Sequence, residues 1–470
     1  MREKTTDLTK GNVSSVILAF FFPMLFTNIL QQIYNVVDTA IVGKGLGDAQ
    51  LAAVGNMSSV TFLIFGFAMG LSNGFSVIIA QKFGAKEYPD LRRSIAATLE
   101  LAGAIAVLLT TLSILFLPDI LRVMQTNPAI LKDSLRYGTV MFGGLIVTLS
   151  YNVCAGILRA LGDSKTPFTA IIISSILNLS MDCLFIFVLK TGVEGAAIAT
   201  VIAQVVSTLI CVRSLRKIPF IRLRKEDFIH CQGFYKTLIA NGLPMAVMNS
   251  ITAVGCVVVQ YFVNGMGVIY TSAYSVCSRF LNLFMQPACV AGFAMSSFTS
   301  QNYGAKEYKR ILEGFKVCWM IAMVTFVVLG TLMVCIPGQL ASIMISGEES
   351  IALVKEFLPR CGVFIFIVDS LFVIRSGVQG MGYPTIPMLS GIAEMILRIS
   401  MIVVFVSSVG FVATAYAEIA AWTGAFVMNL ASFLYHLYQV MKKEKSDGMY
   451  PQKTNTGYKE VLCCQEVHTS

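Results

Sequence analysis

The chain has 470 residues, of which 56% are hydrophobic and only 13% carry a charge. Soluble domains contain about 25% charged residues, so a soluble protein of this length is excluded and lipid is the expected solvent. The net charge of +9 is compatible with nucleic-acid binding, but the distribution of the basic residues along the chain argues against a nucleic-acid partner.

Apolar runs long enough to cross a bilayer recur along the chain. A helix needs about 20 apolar residues to span the hydrocarbon core, and these runs are much longer than barrel strands require. Twelve spans are predicted, near 15–42, 52–80, 92–117, 136–159, 167–189, 193–212, 238–263, 269–299, 315–336, 352–378, 385–407 and 411–440. The first is too long for a cleaved signal peptide and contains Pro23 and Asp38. The predicted fold class is all-α integral membrane.

Basic residues are concentrated on one side of the membrane if both termini lie inside the cell. The opposite loops hold only Lys44, Arg122, Lys132 and Lys190, with Arg136 at a boundary. By the positive-inside rule, we expect a multi-pass protein of the plasma (inner) membrane with both termini in the cytoplasm. The predicted organisation is a cytoplasmic N-terminus (1–14), a first lobe (15–212), a basic cytoplasmic linker (213–236), a second lobe (237–440) and a polar, disordered cytoplasmic tail (441–470).

The two lobes repeat each other. The loop after the second span reads QKFGAKEY (81–88), and the loop after the eighth reads QNYGAKEY (301–308). Nearly the same spacing separates further pairs: Gly162 and Gly382, Pro167 and Pro387, and Pro23 and Pro244. Because each lobe has six spans, both lobes enter from the same side. The repeat predicts two pseudo-twofold-related six-helix bundles that face a central cleft, which is a transporter architecture.

Polar residues inside apolar spans are costly and therefore indicate functional sites. Asp38 is in the first span, Asn178 and Asp182 are in the fifth, and Thr200 is early in the sixth. Asn178 and Asp182 are four residues apart and share a helix face. Residue counting places Asp38, Asp182 and Thr200 in the outer half of the membrane. These oxygen atoms could bind a hard cation such as Na⁺, or the two carboxyl groups could share and exchange a proton.

The second lobe carries a different set of charged residues. Its spans contain Arg279, Asp369, Arg375, Glu394, Arg398 and Glu418. Glu394 and Arg398 are four residues apart and can pair within one helix. Asp369 with Arg279 or Arg375 could form a buried structural pair or, together with Glu394, part of a substrate path. Glu100 in the third span is isolated, and the sequence suggests no role for it.

The sequence contains no feature typical of a membrane enzyme or an ATPase. Its three His are scattered, its twelve Cys form no C-x-x-C motif, and no G-x-x-x-x-G-K-[ST] phosphate loop is present. We therefore expect no catalytic residues and no cofactor. Transport would instead be driven by an ion gradient, with Na⁺ or H⁺ as the coupling ion.

Several motifs, taken in order, resemble the multidrug and toxic compound extrusion (MATE) family over residues 12–440. They are YNVVDTAIVGKGLGDAQLAAVG (34–55), the two GAKEY loops, GILRALGDSKTP (156–167) and GVEGAAIAT (192–200). The resemblance implies two six-helix lobes around a central cavity. It also implies export of amphipathic, often cationic, organic compounds in exchange for Na⁺ or H⁺.

The resemblance further implies roles for individual residues. Asp38, Asn178, Asp182 and Thr200 match the family's cation site in the first lobe, and Asn152 looks like a further polar residue of that lobe. Pro23 matches the proline of the first helix, whose bend is linked to occupancy of the site. The NorM-like branch has an acid in helix seven where this chain has Thr252. The chain therefore leans towards the DinF-like branch, although Asp369 matches the NorM-like acid of helix ten.

The predicted function is multidrug efflux by antiport, with alternating access of two lobes. Small organic cations and drugs are the expected substrates, membrane lipid surrounds the chain, and the protein is expected to be a monomer. One alternative is a lipid-linked saccharide flippase of the same superfamily, which would have more spans and a more cationic cavity. A major-facilitator carrier would instead show a G-x-x-x-D-R-x-G-R-R loop after span two. A membrane-embedded enzyme is the alternative from another class.

Overall fold

The computed structural model describes residues 6–449, apart from the side chains of Asp48, Ser59, Ala253 and residues 443–449, and in this part of the chain every regular element is helical. The first lobe contains α1 (Val13–Leu46), α2 (Asp48–Gly84), α3 (Tyr88–Val123), α4 (Pro128–Gly143), α5 (Leu145–Ala160), α6 (Lys165–Cys183) and α7 (Val193–Leu215). A short α8 (Lys225–Ile229) follows in the linker.

The second lobe begins at α9. It contains α9 (Tyr235–Met266), α10 (Val268–Phe284), α11 (Gln286–Gly304), α12 (Tyr308–Thr325), α13 (Thr331–Cys335), α14 (Pro337–Ser342), α15 (Glu348–Gly380), α16 (Thr385–Val409) and α17 (Ala413–Met449). Short π-helical turns extend α6 (Leu184–Val188) and join α12 to α13 (Phe326–Gly330). The all-α membrane fold predicted from the sequence is confirmed.

Membrane-spanning helices account for most of the described residues. Nine helical segments there are long and apolar enough to cross a membrane, or ten if the bent pair α4–α5 is counted as one span. One of the nine, Thr385–Lys442, contains α16 and α17, which turn at Gly410 and pack against each other. The remaining predicted span, near 269–299, lies on α10 and α11. All twelve predicted spans therefore lie on helices.

The repeat is visible in the backbone. Left-handed φ angles occur at the connections Gly47 and Gly267, Lys86 and Lys306, and Gly162 and Gly382, and each pair has the spacing of the sequence repeat. Gly47 (φ 97°) and Gly267 (φ 118°) join the first two spans of each lobe, in a conformation that residues with a Cβ rarely adopt. The same left-handed turn conformations therefore direct the chain along the same path in both lobes.

The lobes differ in where a span is broken. The α4–α5 span bends by 42° at Gly144, whereas its repeat counterpart α15 is continuous. Conversely, α2 is continuous and its counterpart is divided into α10 and α11 beside Pro287. Because proline has no amide hydrogen, it removes a helical hydrogen bond and permits the break.

The linker is folded onto the first lobe. Arg92 of α3 forms an ion pair with Asp227 of α8 at 3.4 Å. Glu100, to which the sequence assigned no role, accepts hydrogen bonds from Tyr235 and, at 3.2 Å, from the Cys231 thiol. Glu100 therefore ties α3 to the start of the second lobe. The predicted tail begins at 441, but α17 continues to Met449, and residues 450–470 lie outside the described part.

The first helix of each lobe packs on both lobes. Ile17, Phe20 and Phe21 of α1 belong to a core cluster with residues of α11, α12 and α15 in the second lobe. Val42, near the other end of α1, packs instead on Ile186 and on α7 of the first lobe. Pro23 lies between these two regions. By the same pattern, the N-terminal part of α9 packs on α2 and α3.

The lobes meet closely where α2 and α11 end. A Cβ atom placed on Gly84 would lie 1.9 Å from the Gln301 carbonyl oxygen, and one on Gly304 would lie 1.9 Å from the Gln81 carbonyl oxygen. Only glycine permits this approach of two backbones. The contact is reciprocal, as the repeat requires.

Two glutamine side chains cross the same contact. Gln81 Nε2 donates to the Gly380 carbonyl at 3.0 Å, and Gln301 Nε2 donates to the Ala160 carbonyl at 2.8 Å. The two donor glutamines occupy equivalent positions of the repeat, and so do the two acceptor residues. Each of these hydrogen bonds joins the two lobes. We name this set of two glycines (Gly84 and Gly304) and two glutamines the glutamine latch. It joins the two lobes at the ends of α2 and α11.

Candidate functional site

Three helices of the first lobe bring the predicted cation-site residues together. α1 carries Asp38, α6 carries Asn178 and Asp182, and α7 carries Thr200. Asn178 and Asp182 are 1% and 0% exposed. The Asn178 amide donates to the Thr200 hydroxyl at 3.3 Å, and the Thr200 hydroxyl donates to the Ala196 carbonyl at 3.0 Å. The carboxyl groups of Asp38 and Asp182 lie close to each other.

Several oxygen atoms at this site have no hydrogen-bond donor in the described part of the chain. Asp38 Oδ1, Asn178 Oδ1 and both carboxylate oxygens of Asp182 are buried and accept no hydrogen bond from another described residue. A buried polar oxygen without a donor is costly, and two facing carboxylates repel each other unless a positive charge lies between them. The arrangement therefore suits a shared proton or a cation bound through oxygen atoms only.

Two tyrosines that the sequence interpretation missed also border the site. Tyr34 of α1 lies near Thr200 and near both carboxylates. Tyr137 of α4 also lies near Asp38 and Asp182. Tyr34 precedes Asp38 by four residues and so shares its helix face, a signal that was available in the sequence. Tyr137 reaches the site only through the packing of α4, which no local pattern reveals.

A small cavity adjoins the site on the side towards the centre of the protein. This cavity, which we name the Asn178 cavity, has a volume of about 110 Å³ and is lined by Asn178, Thr200, Gln31 and Tyr151, among others. Gln31 and Tyr151 also line a second cavity of about 140 Å³. Asn152 lines this second cavity and forms no hydrogen bond with the four predicted site residues; its amide donates to the Thr148 carbonyl.

The second cavity adjoins a third, of about 250 Å³, and together these two form the central cavities. They share Met69, Asn73, Arg159 and Phe293, and residues of both lobes line them. Among the described residues that line either one, Arg159 alone is charged. A series of adjoining polar cavities therefore runs from Asn178 to the space between the lobes.

Pro23 lies inside the continuous helix α1, one residue before the lining of the central cavities begins at Met24. Its carbonyl accepts a hydrogen bond from the Thr27 hydroxyl at 2.7 Å. Since Pro23 has no amide hydrogen, the backbone bond to Ala19 is missing. The helix is therefore weakened between its contacts with the second lobe and the cation site.

The charged residues of the second lobe pair differently from the expectation. Glu394 does not pair with Arg398 within α16. Instead, Arg375 of α15 binds Glu394, and Arg398 binds Glu418 of α17 at 2.9 Å. Residues four apart share a helix face, but here each side chain extends to a different neighbouring helix. The intrahelical pairing was therefore wrong, because packing between helices decided the partners.

Asp369 also differs from one expectation, because it forms no ion pair with Arg279 or Arg375. It is fully buried, and neither of its carboxylate oxygens has a hydrogen-bond donor among the described residues. Arg375 binds Glu394 and forms no ion pair with Asp369, and residues six apart in a helix point about 120° away from each other. Arg279 is exposed on α10 and is not paired with Asp369. Asp369, Arg279, Arg375 and Glu394 do not line the central cavities, so their role in a substrate path stays a prediction.

No group of three or more His, Cys, Asp or Glu side chains that could hold a metal ion occurs among residues 6–449 with described side chains. The predicted site has only two acids, Asp38 and Asp182, together with amide and hydroxyl oxygens. Such a set suits Na⁺ or a proton better than zinc or another transition metal, which prefer nitrogen and sulfur ligands.

Comparisons with known proteins agree with the fold and the repeat. The MatE family profile matches the chain twice, over residues 23–184 and 244–404. The second match is displaced from the first by the spacing of the internal repeat. The probable multidrug resistance protein YoeA of Bacillus subtilis is 26% identical to the chain, and the match covers 94% of this chain and 96% of the relative.

A second relative and a solved structure extend the match. The probable multidrug resistance protein YpnP of Bacillus subtilis is 27% identical, and the match covers 81% of this chain and 85% of the relative. A multidrug resistance MATE family transporter solved in an outward-facing conformation superimposes with a TM-score of 0.85 at 23% identity, covering 94% of this chain and 100% of that one. The preference for the DinF-like branch stays a prediction. The chain belongs to the MatE family and is a multi-pass membrane transporter.

Proposed function

We propose that the chain exports amphipathic organic compounds, including organic cations, in exchange for Na⁺ or H⁺. The observation that carries the proposal is the facing pair Asp38 and Asp182, whose buried oxygens have no hydrogen-bond donor among the described residues. A membrane protein gains little from two such carboxylates unless a positive charge binds between them. Asn178 and Thr200 supply neutral oxygens beside the pair and complete a site for one small cation or a proton.

Coulomb repulsion supplies the driving force for coupling. Two unit charges about 4 Å apart repel by roughly 4 kcal/mol at the effective dielectric constant of a protein. With the site empty, this repulsion favours separation of α1 from α6. A cation or a proton removes the repulsion, draws α1 towards α6 and α7, and bends α1 at Pro23. An ion drives transport in this way if it binds one conformation better than the other.

Two features connect the site to the substrate space. α1 contacts the second lobe on one side of Pro23 and the cation site on the other. The Asn178 cavity also adjoins the central cavities. Movement of α1 would therefore change both the shape of the central cavities and the contact between the lobes, which rock to alternate access.

The proposed arrangement in the membrane follows the charge distribution. Both termini (1–14 and 441–470) and the linker (213–236) lie in the cytoplasm of a plasma-membrane protein, and the lobes are 15–212 and 237–440. The glutamine latch then joins the lobes on the cytoplasmic side. The protein acts as a monomer in lipid, without a cofactor other than the coupling ion.

The test is efflux of a fluorescent organic cation from proteoliposomes, with Na⁺ and pH gradients imposed separately. We expect one of the two gradients to accelerate efflux and the matching ionophore to abolish the acceleration. Protein-free vesicles are the control for leakage. Equal efflux rates under both gradients and under none would contradict ion-coupled antiport.

A lipid-linked saccharide flippase is the second candidate, and one observation favours it. Arg159 is the only charged side chain among the described residues that line the central cavities. These cavities therefore suit a phosphate-bearing substrate at least as well as a cation. Competition in the efflux assay separates the two candidates. Inhibition by a polyprenyl-phosphate sugar but not by organic cations would favour the flippase.

A further inference from the structure

A crevice in the first lobe is lined by both basic and apolar side chains. We name it the basic crevice; it has a volume of about 520 Å³ and lies between α1 and the ends of α6 and α7. Lys165, Arg213 and Lys217 line one wall, and Val16, Ala19 and Phe20 of α1 line the other. None of these residues belongs to the cation site or to the central cavities.

Among the described residues, the three cations of the basic crevice have no acidic partner. No described carboxylate lies within 4.0 Å of the charged group of Lys165, Arg213 or Lys217. Asp163 also lines the crevice, but it is 6% exposed and already accepts hydrogen bonds from the Lys165 amide at 3.0 Å, the Thr166 amide at 2.9 Å and the Thr166 hydroxyl. The crevice therefore has an excess of positive charge, because three cations line it and its one carboxylate already accepts other hydrogen bonds.

The position of the crevice matches the level of lipid head groups. Lys165 begins the apolar span Lys165–Val188, and the span Val193–Leu215 ends between Arg213 and Lys217. Basic residues at the ends of spans attract anionic lipids of the adjacent leaflet. The apolar wall formed by α1 faces these cations across the crevice, so an amphipathic ligand could contact both walls at once.

The repeat shows that this charge is not required by the fold. Counted from the matching glycine turns, Lys165 corresponds to Thr385, Arg213 to Ala431 and Lys217 to Tyr435. The second lobe therefore has no cation at any of the three places. Near the equivalent turn it has instead an aromatic stack, in which the rings of Tyr383 and His436 are 3.7 Å apart.

We propose that the basic crevice binds an anionic phospholipid. The phosphate lies among Lys165, Arg213 and Lys217, and an acyl chain lies against Val16, Ala19 and Phe20. The apolar wall favours a lipid over free phosphate, which would use only the cations. Because Phe20 also packs in the core cluster with the second lobe, a lipid bound here touches helices that anchor in different lobes.

The test compares lipid retention by purified variants after transfer from nanodiscs that contain phosphatidylcholine and phosphatidylglycerol. Native mass spectrometry counts the lipids that stay bound. The crevice variant is Lys165→Gln/Arg213→Gln/Lys217→Gln. Basic residues near a membrane contribute about 1 kcal/mol each to binding of anionic lipid, so we expect its affinity for phosphatidylglycerol to fall roughly 100-fold.

The matched control is Lys225→Gln/Lys236→Gln/Lys309→Gln, which removes the same charge from exposed positions outside the crevice. Retention by the wild type and the control, with loss in the crevice variant, supports the proposal. Equal retention by all three proteins overturns it. Equal thermal stabilisation of the wild type by inorganic phosphate alone and by phosphatidylglycerol would also overturn it, since the ligand would then be a soluble anion. Unchanged efflux in pure phosphatidylcholine verifies that the crevice variant is folded.

Discussion

Asp182 is completely buried, its two carboxylate oxygens have no hydrogen-bond donor among residues 6–449 with described side chains, and it faces a second carboxylate. The sequence was sufficient to group it with Asp38, Asn178 and Thr200, because span order and residue counting determine depth. The same counting failed for Glu394 and Arg398. Depth is a property of one helix, whereas the partner of a long charged side chain depends on which neighbouring helix lies closest, and that contact is set by packing across the bundle.

The pair Arg375–Glu394 makes a prediction at the residue scale. Both side chains are buried, so Glu394→Gln leaves the Arg375 charge without its partner. Breaking a buried pair on one side costs about 3–5 kcal/mol. We expect a clear decrease in the thermal unfolding temperature of the purified protein in detergent.

The control for this prediction is the half-exposed pair Arg136–Glu194, whose atoms lie 3.2 Å apart. Arg136→Gln should change stability by less than about 1 kcal/mol, as is usual for surface ion pairs. The double change Arg375→Met/Glu394→Met should recover most of the lost stability. An unfolding temperature for Glu394→Gln that equals the wild-type value would show that the pair is not structural.

At the scale of single elements, α1 and α9 join the two lobes. The sequence revealed their prolines and their repeat relation, because both follow from residue identity and spacing alone. It did not reveal that the N-terminal part of each helix packs on the opposite lobe. Apolar residues point to a buried face but not to the helix that covers it. For the same reason the sequence did not reveal the glutamine latch, although both QxxGAKEY loops were recognised.

The glutamine latch makes a prediction for the ends of α2 and α11. Gly84→Ala places a Cβ atom against the Gln301 backbone at 1.9 Å, so the two helices must move apart. We expect faster amide hydrogen exchange at the ends of α2 and α11 than in the wild type, measured by mass spectrometry. Gly103→Ala is the matched control, since a Cβ atom there meets nothing within 4 Å. Equal exchange in the Gly84→Ala variant and the wild type would mean that the latch does not hold the lobes together.

At the scale of the whole molecule, the two lobes share a repeated backbone arrangement but contain different buried charged residues. Turn conformations, the glutamine latch and the lobe-crossing helices recur at the spacing of the sequence repeat. The facing carboxylates occur in the first lobe. The described part of the second lobe has two buried ion pairs and Asp369, which has no partner there. Under the proposed mechanism, the symmetric frame would allow the lobes to rock about one axis, and we expect ion coupling in the first lobe, where the two carboxylates face each other.

The most direct test of this assignment is the ratio of substrate efflux with and without the coupling ion gradient, measured in proteoliposomes for Asp182→Asn and Asp369→Asn. Both variants remove one buried carboxylate, so each is a control for the other. We expect Asp182→Asn to lose the acceleration by the gradient, while Asp369→Asn keeps the ratio of the wild type. Acceleration that persists in Asp182→Asn, or that disappears only in Asp369→Asn, would contradict coupling through the first lobe.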